Sequence, residues 1–299
     1  MKNKKQILQS VLLVFFILVA SFHASQQACL AEEKAYIVEN KIIYGKGGDK
    51  ELKLDLAHPT RETGPLPALV FIHGGAWSMG SRMQYYFHIR KAAERGYVAV
   101  TVDYRLIKEM ENDKVKYPFP AQIHDVKCVV RWLRANAKKY KIDPNRIGVI
   151  GYSSGGHLAL LLGLTDSSAG LEGECGNLEL SSRVQAVVSL SGSTELMSLY
   201  HETEKKGMLV LLLGGTPDEV PEQYRAASPV THVSEDDPPV LSIHGEMDQT
   251  VPLKQVELLD AKMKEVGASY TLIIQKAGGH NMPVDDNVWN FLDEHLKGD

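Results

Sequence analysis

Cysteine is scarce in this sequence, with three in 299 residues, and none lies in a CxxC pair or a Cys/His cluster. That excludes a disulfide-built scaffold and gives no sign of a metal site. An excess of one charge is missing too. The 33 Lys and Arg stand against 37 Asp and Glu, a formal net charge of -4, which offers no electrostatic footprint for DNA, RNA or anionic lipid. Internal repeats, low-complexity tracts and long Pro/Gly/Ser linkers are also absent, so the part that folds reads as one domain. The partner to look for is a small molecule or a group carried on a larger one, and no nucleic acid.

One uninterrupted apolar run stands out near the start, Val11 to Ala20. It follows Lys2, Lys4 and Lys5 and precedes small residues at Ala28 and Ala31 and the charged Glu32-Glu33-Lys34. Basic, apolar and small in that order reads as an export signal over residues 1–31, leaving 32–299 as the domain that folds. The run is short for a bilayer span, so cleavage is expected rather than a retained anchor, with no stable membrane insertion afterwards. Lipidation at Cys29 is disfavoured because Gln26-Gln27-Ala28 lacks the leucine such a site usually carries. The expected location is secreted or at the cell envelope. Cys128 and Cys175 then remain. An oxidising compartment would let them pair, but Cys128 lies in a helical stretch, Val126 to Leu133, and an unpaired core thiol is the favoured expectation.

From Ala35 onward short β-type runs alternate with helical patterns. Ala35 to Tyr44 and Glu51 to Leu56 read as two strands joined by a turn at Gly45-Lys46-Gly47-Gly48. Apolar, β-branched runs follow at Ala68 to Ile72, Val98 to Val102, Ile147 to Ile150, Ala186 to Leu190, Val240 to Ile243 and Tyr270 to Ile274. Runs of that kind suit strands buried on both faces. Helical patterns at Met83 to Glu94, Ala121 to Tyr140, His157 to Leu164, Leu253 to Val266 and Val284 to Leu296 separate them. The alternation predicts an α/β fold, a mostly parallel sheet with helices on both faces. Two stretches break the rhythm, Leu106 to Pro120 and Ser191 to Pro239. Each either caps a pocket or covers a sheet edge.

The strongest local signal is Gly151-Tyr152-Ser153-Ser154-Gly155-Gly156, set between a predicted strand and a predicted helix. A serine on such a turn is held on a tight bend with its hydroxyl exposed, beside the positive end of the helix. A hydroxyl is a weak nucleophile near neutral pH and needs a base, which in turn needs an orienting acid. His280 follows the last predicted strand and Asp248 the one before it, so Ser153, Asp248 and His280 come in the chain order this fold uses. All three fall just beyond strand carboxyl ends, where open parallel sheets gather their sites. Taken singly, the histidine and the aspartate are ordinary loop and turn residues; the joint placement carries the reading. Phe71-Ile72-His73-Gly74-Gly75-Ala76-Trp77 adds a fourth element, because acyl transfer needs backbone N–H donors for the developing oxyanion. Gly74, Gly75 and Ser154 are the expected donors. His73 is expected to brace the loop, and Trp77 either lines a substrate pocket or packs in the core.

These motifs, together with Val102-Asp103-Tyr104-Arg105-Leu106, Ile142-Asp143-Pro144-Asn145-Arg146-Ile147, Ala227-Ser228-Pro229 and His244-Gly245-x-x-Asp248-x-x-Val251-Pro252, resemble the α/β-hydrolase esterases. Within them the chain is most similar to the feruloyl-esterase-like and hormone-sensitive-lipase-like carboxylesterases of bacteria, from about Ala35 to the C-terminus. The resemblance implies the α/β-hydrolase fold with an eight-stranded sheet, no cofactor and no metal, and ester hydrolysis through an acyl-enzyme. Export then suggests acetyl or feruloyl esters, free or linked to plant polysaccharide. Ala76 stands where the lipase branch usually has a third glycine. Asp103, Asp125 and Arg146 match family positions and are expected to be structural, and Glu246 is a minor rival to Asp248. Peptidases and amidases of the same fold share the serine turn, and a non-catalytic binding module on this scaffold is a further alternative. Such modules tend to lose a triad member, and none is missing here.

Overall fold

The computed structural model describes residues 35–62 and 64–298, so the expected export signal lies outside the described residues. The chain opens on an antiparallel ribbon, β1 (Tyr36–Gly47) and β2 (Lys50–Pro59). The turn falls at Gly48-Asp49, later than its glycines suggest. Gly45, Lys46 and Gly47 are still paired, opposite Leu52, Glu51 and Lys50. Next come β3 (Leu66–Ile72), β4 (Val98–Val102) and a two-residue hairpin, β5 (Met110–Glu111) with β6 (Lys114–Val115). The remaining strands are β7 (Ile142–Tyr152), β8 (Ala186–Leu190), β9 (Val240–Gly245) and β10 (Tyr270–Gln275).

Eight of these strands form one sheet in the order β1-β2-β4-β3-β7-β8-β9-β10. Beyond the antiparallel β1, β2 and β4 pairings, every neighbour is parallel. Every residue of β3, β4 and β8 is buried, as strands covered on both faces require. Side chains alternate between two cores. Val70 and Ile72 of β3 face one, and Leu69 and Phe71 the other. The first core is closed by α2 (Ala121–Ala135) and α4 (Ser154–Leu164), and the second by α1 (Tyr86–Glu94) and α9 (Asp286–Lys297). The short α3 (Ala137–Tyr140) ends in left-handed Lys141 and leads into β7. Trp289 of α9 is wholly buried, so Trp289→Ala would cost about 3–5 kcal/mol. This is the α/β-hydrolase fold.

The insertion between β8 and β9 forms α5 (Leu196–Glu202), α6 (Lys206–Leu213) and α7 (Pro221–Ala226); α8 (Lys254–Val266) follows β9. Phe119 N–H donates to Leu212 O at 2.8 Å, so the two irregular stretches of the sequence meet. Leu199, Met208 and Leu209 wall the cleft that holds Ser153, so the insertion caps the site.

Cys128 and Cys175 are bonded, with Cα atoms 5.5 Å apart, which corrects the expectation of an unpaired core thiol. The cause lies in long-range contacts. The irregular segment before β8 folds back on one face of α2. There Lys127 Nζ donates to Glu172 at 2.8 Å and to Thr165 O at 3.0 Å, and Arg131 donates to Cys175 O at 2.8 Å. Gly45 makes room for the bridge, since a Cβ there would lie 2.1 Å from Cys175 Sγ. A link across a sequence separation of 47 stabilises by about 4 kcal/mol in the chain-entropy account.

Candidate active site

β7 ends at Tyr152 and α4 begins at Ser154, which leaves Ser153 alone on the bend with φ 54° and ψ -121°. Glycine on either side makes the bend possible. A Cβ at Gly151 would lie 1.9 Å from Gly155 O, and one at Gly155 would lie 2.2 Å from Ile72 O. Ser153 N–H donates to Leu190 O at 2.8 Å, tying the bend to β8. The serine hydroxyl is thereby presented at the carboxyl edge of the sheet.

Two loops from neighbouring strands complete the relay. His280, after β10, has Nε2 at 2.9 Å from Ser153 Oγ and Nδ1 at 2.7 Å from Asp248 Oδ2. A carboxylate only accepts, so Nδ1 carries the proton and Nε2 offers its lone pair to the hydroxyl. Asp248, after β9, also takes the N–H groups of Thr250 at 2.8 Å and Val251 at 2.9 Å on Oδ1. Burial alone would push its pKa up. The hydrogen bonds from His280, Val251 and Thr250 outweigh that and hold it below the usual carboxylate range. A second histidine, His244, lies 3.5 Å from Asp248, but burial lowers its pKa and its Nε2–H donates to Val251 O at 2.8 Å. Glu246 instead accepts the N–H of Ala277 at 3.2 Å, away from the relay.

The loop after β3 needs one correction. Gly74 N–H, one of the expected oxyanion donors, is already taken: it donates to Gln84 Oε1 at 3.1 Å. Gly75 at φ +124° is an obligatory glycine, since a Cβ would meet Met79 O at 2.2 Å. That reversal brings Ala76 beside Ser153 and Ser154 in the cleft. Gln84, which withdraws Gly74, left no readable trace in the sequence. His73 is buried, stacks on Tyr104 with ring centroids 4.3 Å apart and shares a 2.8 Å hydrogen bond between Nδ1 and Gly74 O.

Trp77 stands between the core and the cleft. It is buried, yet its ring lines the cleft, and its indole N–H donates to His157 at 3.2 Å. Asp103 pairs with Arg82, Asp125 with Arg105 and Arg146 with Asp143, all outside the cleft lining. Asn281 accepts a 2.6 Å hydrogen bond from Tyr152 OH, whose ring lies 5.2 Å from the His280 ring. That contact gives the segment after His280 a purpose its sequence did not show: it braces the histidine loop.

The cleft itself is small and opens to solvent. Its walls are mainly apolar, from Leu199, Met208, Leu209 and Val251, with Ser193, Thr203 and Thr250 as polar points and Lys205 adding a cation. Such an arrangement holds an acyl chain beside an activated hydroxyl. No group of His, Cys, Asp or Glu suited to a metal ion occurs among the described residues.

The chain is similar to several known esterases. Esterase LipC of Mycobacterium tuberculosis is 32% identical over 261 residues, 85% of this chain and 62% of LipC, so the chain spans less than two thirds of that relative. A truncated carbohydrate esterase from gut microbiota superposes with a TM-score of 0.75 at 28% identity, covering 89% of this chain and 98% of that one. Esterase 2 of Thermogutta terrifontis, phosphorylated by paraoxon, superposes with a TM-score of 0.67 at 27% identity, over 88% of this chain and 92% of that one. The model of the BD-FAE family matches residues 54–263, most of the sheet together with Ser153 and Asp248, and the chain belongs to that family.

Proposed function

We propose that this protein is an exported serine carboxylesterase acting through Ser153, His280 and Asp248. The observation that carries the reading is the continuous relay, 2.9 Å from Ser153 Oγ to His280 and 2.7 Å from His280 to Asp248, opening on an apolar cleft. As Ser153 Oγ attacks the ester carbonyl, its proton passes to His280 Nε2, and Asp248 stabilises the imidazolium. The carbonyl oxygen becomes an oxyanion held by the N–H groups of Ser154 and of Gly75 and Ala76. Collapse breaks the bond to the alcohol oxygen, which takes the proton back from His280 and leaves. Water then gives a proton to His280, attacks the acyl-enzyme, and the acid departs as Oγ recovers its proton.

The cleft supports short acyl groups, because Leu199, Met208 and Leu209 close it from the insertion side. Acetyl and feruloyl esters carried on plant polysaccharide are the proposed natural substrates, a reading supported by the likeness to a carbohydrate esterase. The disulfide supports export, since such bonds persist in oxidising compartments. The test is hydrolysis of p-nitrophenyl esters from acetate to palmitate, with ferulate, by the wild type and Ser153→Ala. Turnover on the short esters and ferulate, lost in the variant, is expected. Undiminished turnover by Ser153→Ala would overturn the assignment.

A further inference from the structure

Ala76 and Trp77 follow the glycine pair with φ 50° and 56°, two successive non-glycine residues in the left-handed region. Such backbone is unfavourable and persists only where its surroundings over-determine it. Two contacts hold it from outside. Ile107 N–H donates to Trp77 O at 3.0 Å. Trp77 Nε1–H donates to His157 Nδ1 at 3.2 Å, and the two rings meet edge to face with centroids 5.2 Å apart.

His157 has no part in the proton relay, yet it is wholly buried and fully bonded. Its Nε2 lies 2.7 Å from Ala227 O. A carbonyl accepts only, so Nε2 carries the proton and Nδ1 presents its lone pair to the indole. One tautomer satisfies both partners. Burial pushes the pKa down to about 4, so the ring stays neutral and remains an acceptor above that pH. The same residue belongs to the nucleophile's helix, and its own N–H donates to Ser153 O at 3.0 Å. Ala227 belongs to the insertion that walls the cleft.

We propose that His157 is a positioning residue for the oxyanion loop: by accepting the Trp77 indole N–H it fixes the Gly75–Trp77 backbone, and the donors it carries, against Ser153. The inference rests on the ester-hydrolysis reading. Oxyanion donors act on charge that develops in the transition state and not on the bound ester, so a loosened loop lowers kcat and spares KM. A residue that served only to fill space would show no such split.

The test compares Trp77→Phe, which keeps a ring and removes the N–H, with His157→Phe, which removes the acceptor, and with the double variant. p-Nitrophenyl acetate is the substrate. Each single variant is expected to lose about 10–100-fold in kcat, below the full loss of one oxyanion donor, with KM held within about 3-fold. The double variant is expected to be no slower than the worse single, because one link is broken in all three. Multiplicative losses, unchanged kcat in Trp77→Phe, or a rise in KM alone would each overturn the proposal. A readout independent of turnover is the indole 1H–15N resonance of Trp77, assigned by its loss in Trp77→Phe. It is expected to be protected from solvent exchange in wild type and in Ser153→Ala, and to shift and lose protection in His157→Asn or His157→Phe. An indole signal indifferent to residue 157 overturns the pin. Absence of esterase turnover in wild type, with a protected and responsive signal, would overturn the activity and leave the pin standing. If His157→Phe does not fold, Trp77→Phe and the indole signal decide.

Discussion

Ser153 occupies a backbone conformation, φ 54° and ψ -121°, that costs a residue with a Cβ on the order of 1–3 kcal/mol. Its placement between β7 and α4 forces the cost, and exposure of the hydroxyl is what the site gains. Ser153→Gly should therefore be more stable than Ser153→Ala by about 1 kcal/mol, measured by denaturant unfolding, while both variants lose at least about 10⁴-fold in kcat. Equal stability of the two would remove the strain argument. Asp248 gives a second prediction at this scale. Its folded pKa lies below the ordinary 3.8, so the stability it contributes is present above that value and is lost as pH falls through the lower folded one. Asp248→Asn should flatten that acid limb of stability below about pH 4 and lower kcat by about 10⁴-fold near neutrality. An acid limb as steep in the variant as in the wild type would show that the carboxylate is not held as described. The sequence made Ser153, Asp248 and His280 legible because each is tied to a strand end. Gly74 was misread because Gln84, ten residues on, takes its N–H through a side-chain contact that no spacing rule foretells.

Elements with a strict hydrophobic period were legible to within a few residues, as β3, β4 and β8 show, since burial on both faces leaves no room for polar interruptions. The insertion between β8 and β9 was legible only as an interruption. Its helices are short, and their packing against the Leu106–Pro120 stretch depends on contacts such as Phe119 N–H to Leu212 O. Its contribution to specificity follows from the lining side chains. Met208→Ala removes part of the wall beside Ser153 and should move the preferred p-nitrophenyl ester to a longer acyl chain, changing the ratio of kcat/KM between neighbouring esters by about 10-fold. The same chain-length optimum in variant and wild type would place the acyl group elsewhere.

At the scale of the whole molecule, the sheet brings three loops from β7, β9 and β10 to one edge, while the disulfide ties α2 to the segment before β8. The pairing was illegible because Cys175 lies in irregular chain whose position depends on Lys127 and Arg131 gripping Glu172. Cys175→Ser should lower unfolding stability by up to about 4 kcal/mol without changing KM, and a variant as stable as wild type would show that the bond contributes nothing in solution. The central claim is that one serine, set by this fold, is the nucleophile. The most direct measurement is covalent labelling by a fluorophosphonate probe, followed by mass spectrometry of the labelled peptide. One adduct is expected, on Ser153, absent in Ser153→Ala and strongly slowed in Asp248→Asn. An adduct on another residue, or none on folded protein, would contradict it.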